Sequence, residues 1–176
     1  IVGSGSAEII LMLALAFLEP GDEAVMSEGS FVMYKISTHI AGGKVVEVPM
    51  KDHRHDLRAM LSAITGRTKL VFVDNPTNPR GTMVKKDEVE AFMRDVPEHV
   101  LIVFDEAYYE YIAGTPLISD YPDTFRYLRD GRNVVILRTF SKIYGLAGLR
   151  VGYGFSTPEI IATVRRVRLP FNVNRL

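Results

Sequence analysis

Lys142 is the residue whose type and surroundings most clearly predict chemistry in this sequence. It follows the apolar run 133–138, which is typical of a buried strand, and precedes the glycine-interrupted loop 143–149. A lysine at that point lies partly out of water, and burial favours the neutral, nucleophilic form of an amine. Because open α/β sheets bind ligands at the carboxyl ends of their strands, Thr139, Ser141 and Lys142 are predicted to face a ligand.

A loop of small residues, Gly3 to Ser6, leads directly into an apolar helix near the start of the sequence. Backbone N–H groups and the positive end of the helix dipole suit such a loop to an anion such as phosphate. An ordinary helix N-cap has the same composition, so both interpretations stay open on this motif alone. Glu8 stands where a dinucleotide-binding loop has its third glycine, which argues against a dinucleotide fingerprint.

Two further motifs place polar side chains directly after predicted strands. Two Asn-Pro dipeptides follow the strand 70–73, and they predict a rigid turn that presents the amide of Asn78. Asp105 ends the next apolar strand, and Tyr108 comes three residues later. An acidic residue after a strand also occurs in P-loop nucleotide hydrolases, but the sequence contains no G-x-x-x-x-G-K-[ST] motif.

The elements that must position these motifs alternate along the sequence. Predicted strands cover residues 23–27, 44–48, 69–74, 100–105, 133–138 and 151–155. Predicted helices cover residues 7–18, 31–41, 57–64, 85–96 and 158–167. This alternation predicts an α/β fold, a three-layer α/β/α sandwich whose central sheet is mainly parallel.

Composition limits the class of protein. The 176 residues are 47% hydrophobic, which is enough for the core of one domain, and 21 basic side chains balance 21 acidic ones. A net charge of zero gives no general electrostatic reason to bind nucleic acid. The apolar run 9–18 is too short to span a membrane and predicts a core helix. The sequence contains no cysteine, which fits a cytoplasmic protein without disulfides.

The histidines of the sequence do not indicate a metal site. His53 and His55 flank Arg54 in a polar stretch with no third ligand nearby, so a solvated loop is the favoured interpretation. We also expect the sequence to be a piece of a longer protein, because it begins at Ile1 without a leader and ends abruptly after residues 170–174.

Four of these motifs together resemble the fold type I pyridoxal 5'-phosphate (PLP) aminotransferases. They occur in the order and spacing of that family, and the resemblance covers the whole chain. The motifs are Gly5-Ser6-Ala7-Glu8, Asn78 to Gly81, Asp105 with Tyr108, and Ser141-Lys142 with Arg150 eight residues after the lysine.

The resemblance implies a role for each residue of the site. Lys142 would bind PLP covalently and move a proton, Asp105 would pair with the protonated pyridine nitrogen, and Phe31 would stack on the ring. Asn78 and Tyr108 would hydrogen-bond the ring 3-oxygen, and Lys142, Asp105 and Tyr108 form the predicted catalytic group. The phosphate would be held, partly through backbone N–H groups, by Gly5, Ser6, Ala7, Glu8, Thr139, Ser141 and Arg150. Many relatives have Asp in place of Ala7, so only its backbone donor carries over.

Within the family, residues 139–150 and 170–174 are most similar to histidinol-phosphate aminotransferases. This resemblance implies amino-group transfer between L-histidinol phosphate and 2-oxoglutarate in histidine biosynthesis, by a homodimer. Residues 1–176 would be the large, PLP-binding domain, without an N-terminal segment and a C-terminal small domain.

Several alternatives stay open on the sequence. An aromatic-amino-acid aminotransferase and a threonine-phosphate decarboxylase share all four motifs. The aminotransferase-like sensor domain of a transcriptional regulator would bind PLP without needing turnover. The fragment by itself would be inert if its site needs a partner's tyrosine and an arginine from the small domain.

Overall fold

A seven-stranded sheet forms the centre of the computed structural model, which describes residues 1–175. Its strands are β1 (Val2–Gly3), β2 (Glu23–Ser27), β3 (Lys44–Val48), β4 (Thr68–Asp74), β5 (Leu101–Asp105), β6 (Val134–Thr139) and β7 (Gly152–Phe155). The strand order is β1-β7-β6-β5-β4-β2-β3. Strands β2 to β6 pair in parallel, whereas β7 runs antiparallel to both β6 and β1.

Within residues 1–175, seven α-helices connect or flank these strands. They are α1 (Ser6–Phe17), α2 (Met33–Ile40), α3 (Leu57–Ser62), α4 (Lys86–Asp95), α5 (Tyr109–Ala113), α6 (Thr124–Arg129) and α7 (Pro158–Arg165). Short 3₁₀ helices cover Pro116–Asp120 and Ala147–Leu149. Among the described residues, no helix is long and apolar enough to cross a membrane.

Helices cover both faces of the sheet. Successive side chains of a strand point to opposite faces, so a strand whose side chains are all apolar must be covered on both sides. In β4, Leu70 and Phe72 pack in a core with α1, α2 and α7. Val71 and Val73, which alternate with them, pack in a second core with α3, α4 and α6. All four side chains are fully buried. The predicted three-layer arrangement is therefore confirmed.

The predicted elements agree with the structure within a few residues at each end, but several elements had not been predicted. Strand β1 has only two residues, and α5 and α6 have five and six. Such segments are too short to show a hydrophobic period. The antiparallel direction of β7 was also not predicted, since strand direction leaves no mark in the period of a single strand.

Candidate functional site

Four polar residues end four strands at the same edge of the sheet. Ser27, Asp74, Asp105 and Thr139 are the last residues of β2, β4, β5 and β6, and each is at least 96% buried. Because these strands are parallel, their carboxyl ends meet at one edge, where a cavity opens. The cavity is lined by Gly5, Ser6, Ala7, Phe31, Tyr34, Asp74, Asn78, Asp105, Ala107, Tyr108, Thr139, Ser141, Lys142, Ala147 and Arg150. All of the predicted site residues except Glu8 are in this set.

The first turn of α1 and Arg150 form one side of the cavity. Gly5, the N-cap residue, adopts φ 75° and offers no side chain to cap the helix, so the first N–H groups remain available for an anion. The N–H of Gly5 donates to the backbone oxygen of Arg150 at 3.1 Å. Nη1 of Arg150 donates to Ser141 Oγ at 3.3 Å, and Thr139 Oγ1 lies 3.0 Å from the same oxygen. Backbone, hydroxyl and guanidinium donors therefore converge here.

Glu8 is not among the residues that line the cavity, and its side chain is bound elsewhere. Its carboxylate accepts hydrogen bonds from the N–H of Ser4 at 2.6 Å and from Nδ2 of Asn172 at 2.7 Å. Nε of Arg168 in turn donates to Oδ1 of Asn172. The side chain of Glu8 thus ties the loop before α1 to a segment near the end of the chain.

Asp105 lies in the interior of the same edge. Burial, together with the neighbouring carboxylate of Asp74, raises the pKa of Asp105 to about 7. Oδ2 accepts a hydrogen bond from the hydroxyl of Tyr34 at 3.0 Å, and Oδ1 accepts one from the N–H of Ala107 at 3.2 Å. Burial and the nearby carboxylates also hold the pKa of Tyr34 well above its ordinary value, so the phenol stays the donor.

Glu106 anchors the end of β5 on the opposite face. Its carboxylate pairs with Arg138 of β6 at 2.6 Å, and Arg138 also pairs with Glu110 at 3.2 Å. Asp105 directly precedes Glu106, and Thr139 directly follows Arg138, so this buried ion pair fixes the two strand ends that carry cavity residues.

Lys142, Tyr108 and Asn78 line the remaining part of the cavity. The ammonium nitrogen of the half-buried Lys142 lies 5.1 Å from the centre of the Tyr108 ring. Nδ2 of Asn78 donates to the Tyr108 hydroxyl at 3.2 Å. An amine, a phenol and an amide therefore meet between the anion-binding side of the cavity and Asp105.

Four lining residues were not predicted: Tyr34, Asp74, Ala107 and Ala147. Tyr34 lies three residues after Phe31, and its ring packs edge-on against Phe31 at 5.6 Å and stacks on Phe72 at 4.6 Å. Asp74 was the last residue of a predicted strand, which is the position that had identified Asp105. The same rule, applied to every strand, would have found it.

The expectation of a solvated loop at His53 and His55 is wrong for His55. His53 is exposed, with Arg80 at 3.3 Å from its Nδ1. His55 is only 3% exposed and contacts Ser27 and Asp74. Sequence neighbours did not reveal this burial, because both partners come from strands that are distant in the sequence.

The tyrosines after Tyr108 divide between two environments. Tyr111 packs near Tyr108, with the ring centres 6.2 Å apart. Tyr109 does not pack there. It contacts Tyr121 at 5.2 Å and lies under the guanidinium of Arg138 at 3.6 Å.

Gly152 of β7 permits the close approach of this strand to α1. A Cβ atom added at Gly152 would lie 2.3 Å from the backbone nitrogen of Ser6 and 2.4 Å from the backbone carbon of Gly5. We expect Gly152→Ala to lower the free energy of unfolding by about 1–3 kcal/mol, because backbone atoms must move to accept the methyl group. Chemical denaturation of the full-length protein measures this change.

Gly148→Ala is the matched control, since a Cβ atom there meets no heavy atom within 4 Å. We expect this variant to unfold like the wild type. Equal stability of the two variants would contradict the close packing of β7 against the start of α1.

Comparison with known proteins identifies relatives over the full length of the chain. Residues 1–176 match the family model described as aminotransferase class I and II. The chain is 52% identical over 177 residues to the histidinol-phosphate aminotransferase of Moorella thermoacetica, covering 100% of this chain and 45% of that protein. It is 50% identical over 174 residues to the enzyme of the same name from Brevibacillus brevis, covering 99% of this chain and 47% of that protein.

A solved structure shares the fold. It is histidinol-phosphate aminotransferase from Sinorhizobium meliloti in complex with pyridoxal-5'-phosphate, with a TM-score of 0.86 and 36% identity, over 95% of this chain and 44% of that one. The present chain thus spans about half the length of the curated relatives that it matches.

Proposed function

Because this chain belongs to the aminotransferase class I and II family, we propose that the full-length protein is a PLP-dependent aminotransferase acting on L-histidinol phosphate and 2-oxoglutarate. One observation carries the reaction type: a single cavity combines a lysine, a buried carboxylate and a helix N-terminus with an arginine. The names of the relatives at 52% and 50% identity support the choice of amino donor.

The donors and acceptors of the cavity fit the chemical groups of PLP. Ser6 and Ala7 N–H groups, the hydroxyls of Thr139 and Ser141, and Arg150 would hold the phosphate. Asp105 would accept a hydrogen bond from the protonated ring nitrogen, and this contact would offset the cost of its buried charge. Asn78 and Tyr108 would bind the ring 3-oxygen, and Phe31 would cover the ring face.

The chain's own residues then do three things. The Lys142 amine would hold the cofactor and, once released, would take a proton from the substrate α-carbon and deliver it to the C4' carbon of the cofactor. Such positioned proton transfer typically contributes about 10²–10⁴-fold in rate. Asp105, held by Tyr34 and the Ala107 N–H, would keep the ring nitrogen protonated. When bound, PLP supplies an electron sink for the electrons released at the α-carbon.

The organisation of the longer protein is part of the same proposal. Residues 1–176 would be its large, cofactor-binding domain. The full-length protein would be a cytoplasmic homodimer whose substrate pocket is completed by parts outside this chain.

Amine-donor profiling of the full-length protein tests the proposed substrate. We expect turnover with histidinol phosphate to exceed that with phenylalanine, tyrosine and aspartate at equal concentrations. Preference for an aromatic amino acid would assign the site to the rival aminotransferase. Release of carbon dioxide from threonine phosphate would assign it to the decarboxylase.

Arg150 gives a prediction about the phosphate side of the cavity. Its guanidinium offers a planar pair of donors that lysine does not reproduce, and charge-assisted hydrogen bonds contribute roughly 1.5–3 kcal/mol. We therefore expect Arg150→Lys to weaken PLP binding by about ten- to a hundredfold. Equilibrium titration of the cofactor-free full-length protein measures this loss.

Pyridoxal, which lacks the phosphate, is the matched ligand for this test. We expect it to bind the wild type and Arg150→Lys almost equally, because the contact is absent from both complexes. An equal loss of affinity for PLP and for pyridoxal would make Arg150 a structural residue and would refute this placement of the phosphate.

A further inference from the structure

Three buried polar side chains form a continuous row of contacts that borders the cavity. Ser27, His55 and Asp74 are 1%, 3% and 2% exposed. Nδ1 of His55 lies 2.6 Å from Ser27 Oγ. Nε2 of His55 lies 2.9 Å from the backbone oxygen of Asp74 and 3.0 Å from Oδ1 of the same residue. This row therefore links the ends of β2 and β4 through one imidazole ring.

The imidazole of His55 acts as a donor toward Asp74. Both atoms that face Nε2 are oxygens of Asp74, and a carbonyl or carboxylate oxygen only accepts, so Nε2 carries the hydrogen. Nδ1 faces a hydroxyl, which donates or accepts, and Ser27 Oγ also lies 3.4 Å from the sulfur of Met60. The donor role of Nε2 therefore holds for the neutral and for the charged ring.

The carboxylate of Asp74 is hydrogen-bonded at one of its two oxygens. Its Oδ1 lies 3.0 Å from Nε2 of His55 but has no hydrogen-bond partner among residues 1–175, because Nε2 donates to the backbone oxygen of Asp74. Its Oδ2 accepts a hydrogen bond from the backbone N–H of Asn78 at 2.6 Å. The side chain of Asn78 lines the cavity and donates to Tyr108. Asp74 thus joins the buried imidazole to the residue that presents an amide in the cavity.

Ser, His and Asp also form the catalytic triads of hydrolases, but this arrangement differs from them. In such triads the serine oxygen must reach an external substrate. Ser27 is 1% exposed, and the same hydroxyl lies against Met60 in the core. We therefore assign no hydrolytic chemistry to these residues.

We propose that His55 and Asp74 are positioning residues of the cofactor cavity: His55 fixes Asp74 through its backbone oxygen, and the Asp74 carboxylate fixes the turn that presents Asn78. This inference rests on the proposed function, because it takes the ring 3-oxygen of PLP as the partner of Asn78. Without the imidazole donor, the buried backbone oxygen of Asp74 loses a hydrogen bond, and the strand end that carries the carboxylate is held less firmly. Loss of His55 therefore also weakens the hold on Asn78.

The visible absorbance of the cofactor bound to the full-length protein gives a readout for this role. A hydrogen bond to the ring 3-oxygen draws negative charge from this oxygen and lowers the proton affinity of the nitrogen that joins Lys142 to the cofactor. The pH midpoint of the absorbance change therefore reports whether Asn78 makes this hydrogen bond. We expect His55→Phe to raise this midpoint by about one pH unit, since one hydrogen bond corresponds to roughly a tenfold change in equilibrium. His55→Gln keeps an N–H donor and is expected to restore most of the wild-type midpoint.

Glu23→Gln is the matched control. Glu23 is also a carboxylate that is 2% exposed, but it lies at the other end of β2, where Lys44 and Thr65 bind it. We expect Glu23→Gln to lower the unfolding temperature of the cofactor-free protein and to leave the midpoint unchanged.

Two results would overturn the inference. One is a wild-type midpoint in His55→Phe. The other is a shift in Glu23→Gln as large as that in His55→Phe, because the effect would then follow the general loss of a buried polar contact. In either case the proposed function would stand if the wild type binds PLP at Lys142. A wild type without any visible absorbance on addition of PLP would refute the proposed function and this inference together.

Discussion

Lys142→Ala in the full-length protein is expected to lower the transamination rate by roughly 10⁴-fold or more, because one amine both holds the cofactor and moves the substrate proton. Among the described residues, Lys142 is the lysine that lines the cavity. PLP is expected to remain bound without a covalent link, since the donors around Ser6 and Arg150 are unchanged. Steady-state rates with histidinol phosphate measure the loss.

Borohydride reduction separates this role from a general effect. In the wild type we expect the cofactor to be fixed to the peptide that contains Lys142, and in Lys142→Ala we expect no fixed cofactor. Lys69→Ala is the control, because Lys69 lies near the amino end of β4, away from the cavity, and pairs with Asp22 at 4.0 Å. Labelling of Lys35 or Lys69 in the wild type would refute the assignment.

Asp105→Asn is expected to have opposite effects on turnover and on stability. The amide cannot keep the ring nitrogen protonated, and the lost interaction of roughly 3–5 kcal/mol predicts a loss in rate of about 10²–10⁴-fold. Without cofactor, the same substitution removes a charge that is buried in the wild type. We therefore expect the cofactor-free variant to be more stable than the wild type above neutral pH.

The pH range of this stability difference follows from the pKa of Asp105. The pKa is about 7 in the folded protein and 3.8 for an ordinary aspartate. The folded state therefore binds a proton that the unfolded state has released. This contribution to stability is complete below about pH 3.8 and is lost as the pH rises through about 7, and the interval corresponds to about 4 kcal/mol. Wild type and Asp105→Asn should differ most near pH 8 and converge near pH 4.

Denaturant unfolding of the cofactor-free full-length protein between pH 4 and pH 8 measures this effect. Asp120→Asn is the control, because Asp120 is an exposed carboxyl that pairs with Lys85. It should change neither turnover nor the pH dependence. Parallel stability curves for wild type and Asp105→Asn would show that the pKa of Asp105 is not raised, and normal turnover would refute its role at the ring nitrogen.

Local sequence determined the elements, the fold class and the family. Alternating apolar runs predicted a mainly parallel, helix-covered sheet, and five of the six predicted strands pair in parallel. The family was confirmed by the match over residues 1–176. Eleven of the predicted site residues were brought to one cavity, because each belongs to a motif that directly follows a strand or begins a helix. Motifs of this kind are readable since strand ends and helix starts are fixed by neighbouring residues.

Only the tertiary structure decided which distant residues support that cavity. Tyr34 contacts Asp105, which is 71 positions away in the sequence. His55, which precedes α3, contacts Ser27 at the end of β2 and Asp74 at the end of β4. Gly152 meets the backbone of Gly5 because β7 runs antiparallel beside β6. Burial and partner choice depend on how strands are ordered and how helices pack across them, and a sequence pattern of period two or 3.6 contains neither. The pKa of Asp105 follows from that packing, since removal from water and the carboxylate of Asp74 at the same register both arise when β4 and β5 pair.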